Sequence, residues 1–200
     1  GLKELGIVSV YEPLSDFYRE NVQDQYQKGA APGMTVEPKL EDALCDLARA
    51  NAEVALVFIS RFSGEGWDRS SVEFDVDFNP WDNENSMPEF SEKVFPKGDF
   101  SLTSAEQEMI EKVLKRFDKV AVILNVGGII ATDWIRNDER INSALHIGQG
   151  GMEGGLAAAE VLCGISYPSG HLADTYAATL ESYPSTEGFH ESPWYVDYTE

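Results

Sequence analysis

The residues best placed to do chemistry lie together in Ser60-Arg61-Phe62-Ser63-Gly64-Glu65-Gly66-Trp67-Asp68-Arg69. Glu65 stands between two glycines, just past the apolar run Val54-Ala55-Leu56-Val57-Phe58-Ile59, which reads as a buried strand. Open α/β sheets bind ligands in the crevice outside the carboxyl ends of their strands. A carboxyl group at that place can bind a ligand or exchange a proton with it. The glycines let the backbone bend sharply and approach a ligand closely. Asp68 and Arg69 can form ion pairs that hold the shape of the loop, and Trp67 sets an aromatic face beside the candidate acid. The same spacing also suits an ordinary strand-to-loop turn with a solvated glutamate.

Other motifs are weaker. The run Gly148-Gln149-Gly150-Gly151-Met152-Glu153-Gly154-Gly155 lacks the Lys-Ser/Thr ending of a nucleotide-binding loop, and its glycines miss the dinucleotide spacing. Glu153 would also place negative charge where a phosphate should sit, so a tight strand-to-helix turn is the expected role. Asp75, Asp77 and Asn79 imitate the start of a calcium loop, but Pro80 follows where glycine is needed and Ser86 takes the place of the closing glutamate. His146, His171 and His190 are too far apart for a local metal motif, and neither cysteine has a ligand at short spacing. Ser166 has Pro168, and Ser169 has Tyr167 and His171, where a nucleophile elbow requires glycine. No metal and no cofactor are expected.

These residues need elements to position them. A helix of mixed character is expected from Leu14 to Lys28, ending at Gly29-Ala30-Ala31-Pro32-Gly33. A second is expected from Glu41 to Ala52, with Ala43, Leu44, Leu47 and Ala48 on its apolar stripe. After the strand at 54–59 comes a long acidic loop, about 70–100. A helix then starts at Thr103 or Ser104, with Glu106 or Gln107 completing a capping box, and carries Ile110, Val113, Leu114 and Phe117 on one face to about Phe117. A strand at Val120–Val126, a short one near Ile141–Ile147, and a helix from Leu156 to Cys163 follow. Continuous apolar strands alternating with amphipathic helices predict a mainly parallel sheet covered on both faces. The expected division is a helical part at 1–53, a sandwich core at 54–185 and a carboxyl-terminal arm at 186–200.

The 200 residues are 42% hydrophobic, with ten Phe and four Trp, which suits a folded domain with a proper core. A net charge of -20, from 35 acidic and 15 basic side chains, opposes binding to nucleic acid or an anionic membrane. No apolar run approaches the roughly 20 residues of a membrane span. Cys45 and Cys163 fall in helix-like segments and read as small buried hydrophobes, which favours reducing, cytoplasmic surroundings.

Several segments together resemble glycoside hydrolase family 3, the β-glucosidase and β-xylosidase group. The 60–69 segment resembles that family's Gly-Glu-Gly-x-Asp-Arg loop. Lys97-Gly98-Asp99-Phe100 with Leu102 looks like the segment before its helix, and Lys119–Asn125 with Gly127 like its "VVVLNxG" strand. His146–Gly155 is similar to its "Pro-Gly-Gln-Glu-Gly-Gly" turn. Val161-Leu162-Cys163-Gly164 and Tyr167–Thr175 resemble "VLxGxxxPSGKLPxT", with His171 and Ala173 in place of the usual Lys and Pro.

The resemblance implies a three-layer α/β/α sandwich of flavodoxin-like topology, lacking its first strand. It implies that this is the second domain of a retaining β-glycosidase acting on β-linked glucosides or related oligosaccharides. On the residue match, Glu65 is the general acid/base, and Arg61, Trp67, Asp68 and Arg69 belong to the loop that supports it. The nucleophilic Asp would belong to a barrel domain of the same parent polypeptide, so the fragment alone is expected to be inactive. A non-catalytic, flavodoxin-like binding module is the competing reading; it would use Trp67 and the acidic loop at the strand ends.

Overall fold

The computed structural model describes residues 1–64, 69 and 94–186. Its centre is a sheet of three parallel strands in the order β1 (Ala55–Arg61), β2 (Val120–Val126) and β3 (Ser143–His146). The register pairs Ala55 with Val120 and Arg61 with Val126, and Ala121 with Ser143 through Leu124 with His146. Parallel neighbours need a crossover, and helices supply it. Among the described residues the helices are α1 (Leu2–Leu5), α2 (Glu12–Gln27), α3 (Asp42–Asn51), α4 (Ser104–Leu114), α5 (Asp133–Arg136) and α6 (Gly154–Leu162). Two 3₁₀ turns, Leu180–Ser182 and Pro184–Thr186, close the described chain. The α/β class and the parallel sheet expected from the sequence are what the fold displays.

Side chains alternate across a strand, so Val57 and Ile59 of β1 share a face with Val120, Val122, Leu124 and Val126 of β2. That face carries the main core, packed against Cys45 and Ala48 of α3 and Met109, Ile110, Val113 and Leu114 of α4. On the opposite face Ile123 is 0% exposed, so that side too is covered at the central strand. At the edge strand it is more open, and Phe58 is 52% exposed.

The start of α4 shows how sequence fixes an element. Thr103 Oγ1 accepts the Glu106 N–H at 3.2 Å, and the Glu106 carboxylate accepts the Thr103 N–H at 2.7 Å, so the capping box closes on Glu106. The regular helix ends at Leu114, three residues before the expected end at Phe117, yet the Arg116 and Phe117 N–H groups still donate to the Val113 carbonyl. Pro13 in the first turn of α2 suits a position whose N–H needs no partner. Cys45 and Cys163 are free thiols; Cys45 is buried in the core and Cys163 is half-buried at the end of α6.

Strand β1 runs two residues past the expected Ile59. The polar pair Ser60-Arg61 ends the apolar run in the sequence, but its backbone continues to pair with Asn125 and Val126. Arg61 is therefore the last residue of the strand rather than part of the loop beyond it. Among the described residues, no helix is long and apolar enough to cross a membrane.

Candidate functional site

The carboxyl ends of the three strands meet at one edge of the sheet, where Arg61, Val126 and His146 end their strands. Arg61 does not face a crevice. Its guanidinium is buried beneath the strand end, with all five N–H donors in use. Nε donates to the Asp99 carbonyl at 2.8 Å, and Nη1 to the Ser60 carbonyl at 2.8 Å and Glu106 Oε1 at 2.7 Å. Nη2 donates to the Ser101 carbonyl at 3.1 Å and Glu106 Oε2 at 2.9 Å. The group also stacks over Phe95, 4.6 Å from the ring centre. A guanidinium can be buried here only because carboxylate and carbonyls replace all its water.

Arg69 makes a second clamp. Its fork grips Asp99 through Nε–Oδ2 at 2.8 Å and Nη2–Oδ1 at 3.1 Å. Nη1 donates to the carbonyls of Gly127 at 3.0 Å and Ile129 at 2.7 Å, in the loop that follows β2. Asp99 is itself buried. So Arg69 joins three segments: the region after β1, the stretch before α4, and the loop after β2.

The glycine-rich turn between β3 and α6 docks onto the same edge. Gln149 Nε2 donates to the Ser63 carbonyl at 2.8 Å and to Ser63 Oγ at 3.2 Å. Gly127 lies under this contact, and a Cβ there would meet the Gln149 side chain at 2.8 Å. The run at 148–155 is thus a strand-to-helix turn, as expected. Beside it, the Tyr176 hydroxyl donates to the Gly128 carbonyl at 3.1 Å, which leaves it to accept from His146 Nε2–H at 2.8 Å. Burial holds the His146 pKa below the ordinary histidine value. This pairing suits a structural histidine.

Of the residues singled out from sequence, the structure brings Arg61 and Arg69 together on Asp99 at the strand ends. Glu65, Trp67 and Asp68 lie outside the described residues, as do most of the acidic loop and the carboxyl-terminal arm. Sequence reasoning did not assign Asp99, Glu106, Gln149 or Tyr176 to this edge. Glu106 was visible as half of a capping box, and Asp99 and Gln149 lay in noted motifs; Tyr176 left no signal. Among the described residues no group of three or more His, Cys, Asp or Glu side chains could hold a metal.

Comparison with known proteins bears on the same chain. The description "Glycosyl hydrolase family 3 C-terminal domain" fits residues 13–200. Beta-glucosidase A of Butyrivibrio fibrisolvens is 51% identical over 194 residues, covering 96% of this chain and 23% of that protein. A beta-glucosidase of Ruminococcus albus is 30% identical over 182 residues, covering 90% of this chain and 17% of the relative. Among solved structures, beta-glucosidase 3B of Thermotoga neapolitana in complex with glucose superposes with a TM-score of 0.71 at 26% identity, over 93% of this chain and 24% of that one. The chain therefore spans less than a quarter of the length of these relatives.

Proposed function

The chain belongs to glycosyl hydrolase family 3 through the C-terminal domain of that family, and from this we propose that it serves a retaining β-glucosidase by supplying the general acid/base, Glu65. The relatives it resembles are beta-glucosidases, one of them solved with glucose. The observation that carries the reading is the anchoring of Arg61 and Arg69, four residues before and after Glu65, at the carboxyl end of a parallel sheet. That edge is where α/β sheets present ligand-binding groups.

Retaining cleavage uses two carboxyl groups about 5–5.5 Å apart across the glycosidic bond. One attacks the anomeric carbon and forms a covalent glycosyl-enzyme. The other first protonates the departing oxygen, then takes a proton from the water that releases the sugar. Glu65 has the second role. An Asp on a barrel domain of the same polypeptide has the first. Glu65 must be protonated when substrate binds, and the low-dielectric cover that raises a carboxyl pKa comes from the barrel and the sugar. The 200 residues alone then hold half of a catalytic pair and do not hydrolyse aryl β-glucosides.

A leaving-group series on the full-length enzyme tests this. Glu65→Ala should slow alkyl glucosides by about 10²–10⁴-fold, the usual worth of general acid catalysis, while sparing the cleavage step for dinitrophenyl glucoside, whose leaving group needs no proton. An equal loss on both substrates would remove the acid/base role. Steady hydrolysis by the purified 200-residue chain would place the nucleophile within it and contradict the division of labour.

A further inference from the structure

We infer that Asp99 is a positioning residue for Glu65; this rests on the acid/base reading above. Arg61 and Arg69 stand four residues to either side of Glu65 in the sequence. Both converge on Asp99. Arg61 Nε donates to its backbone carbonyl at 2.8 Å, and Arg69 grips its carboxylate with two bonds at 2.8 and 3.1 Å. The same carbonyl receives a long bond from Arg69 Nη2 at 3.5 Å. The two arginines that flank Glu65 at equal spacing in the sequence are thus tied to one residue.

The chemistry of this tie explains why it needs an aspartate. A bidentate guanidinium–carboxylate pair fixes direction as well as distance, which a single hydrogen bond does not. The Asp99 side chain is 8% exposed, so water competes little for the pair. Residues 99 and 100 also brace the neighbouring strand end. Arg69 reaches the Gly127 and Ile129 carbonyls, and the Ala131 N–H donates to the Phe100 carbonyl at 2.9 Å. The stretch before α4 is a strut between the loops that follow β1 and β2. Asp99 acts through Arg69 and touches no reacting atom.

A general acid works only within hydrogen-bonding reach of the departing oxygen. Slack in its anchor therefore appears as lost proton transfer before it appears as lost binding. In the full-length enzyme, Asp99→Asn keeps the shape of the side chain and removes its charge. It should lower kcat/KM about 100-fold for an alkyl glucoside, the effect of roughly 1 Å of misplacement. For dinitrophenyl glucoside the fall should stay below about 5-fold, because that leaving group departs without a proton.

Built into Glu65→Ala, the same substitution should change either value by less than about 2-fold, since the group it acts through is gone. Equal losses on both substrates, no loss, or a full further loss on top of Glu65→Ala overturns the positioning role. If Glu65→Ala itself shows no leaving-group dependence, the acid/base reading fails instead, so the two failures are distinct. Should Asp99→Asn not fold, as judged by circular dichroism, Arg69→Lys keeps the charge, loses the fork, and is judged by the same outcomes.

Discussion

Glu106 and Glu37 are both carboxylates drawn out of water, and only Glu106 meets a cation. Its two oxygens take two bonds from Arg61 and one from the Thr103 N–H, and it joins the start of α4 to the end of β1. Glu37 lies between α2 and α3, where Tyr18 provides a hydrogen bond and Oε1 is buried with no hydrogen-bond partner among the described residues. Burial raises the Glu37 pKa to about 7; the Tyr18 bond works against this and the negative charge of Glu106 adds to it. The contrast separates two uses of a buried acid. Paired with a guanidinium and a helix cap, it fixes where a strand end and a helix meet. Left without a cation, it keeps its proton and makes the fold sensitive to pH.

Removing the cation breaks the contrast most sharply. Arg61→Ala leaves Glu106 as an uncompensated buried charge, and urea unfolding should show a loss of about 3–5 kcal/mol. A variant within about 0.5 kcal/mol of the parent would mean that water reaches Glu106 freely.

Glu37 should behave in the opposite sense to a salt-bridged acid. Its folded pKa lies above the ordinary value of 4.5, so between pH 4.5 and 7 the folded state holds a proton that the unfolded state has released. Its contribution is complete below about pH 4.5 and is lost as pH rises through 7. The loss is on the order of 2 kcal/mol after allowance for partial exposure. Unfolding at a series of pH values should show this slope in the parent and lose it in Glu37→Gln.

Smaller changes sharpen the picture. Thr103→Ala removes one half of the capping box while leaving Arg61–Glu106 in place, and should reduce stability by about 1 kcal/mol. Arg140 makes bonds to Glu111 and Asp138 that rival those of Arg61 in number, but in open solvent. Arg140→Ala should change stability by less than about 0.5 kcal/mol, with the difference vanishing in high salt. Equal losses for Arg140→Ala and Arg61→Ala would contradict the weight given to burial.

The elements were legible wherever side chains repeat with the period of the backbone. The apolar runs at 54–59 and 120–126 announced buried strands, and the Thr103–Glu106 spacing announced a helix start. Strand β1 was read too short because Ser60 and Arg61 look like loop residues. Only the acid 45 positions later makes burial of Arg61 affordable. The same limit hid the edge of the site. Gln149 and Ser63 meet across 86 positions, and Asp99 in isolation reads as one more solvated acid among the 35 acidic side chains. Local pattern reports what the backbone repeats; it does not report which distant groups converge.

The most direct measurement is the product formed when the full-length Glu65→Ala enzyme turns over dinitrophenyl glucoside in azide. If Glu65 is the acid/base of a retaining reaction, the glycosyl-enzyme accumulates and azide, which needs no general base, takes it to β-glucosyl azide. Accumulation of that compound, identified by NMR, is the predicted result. Release of glucose alone, at a rate unmoved by azide, would show that Glu65 is not the proton donor and acceptor.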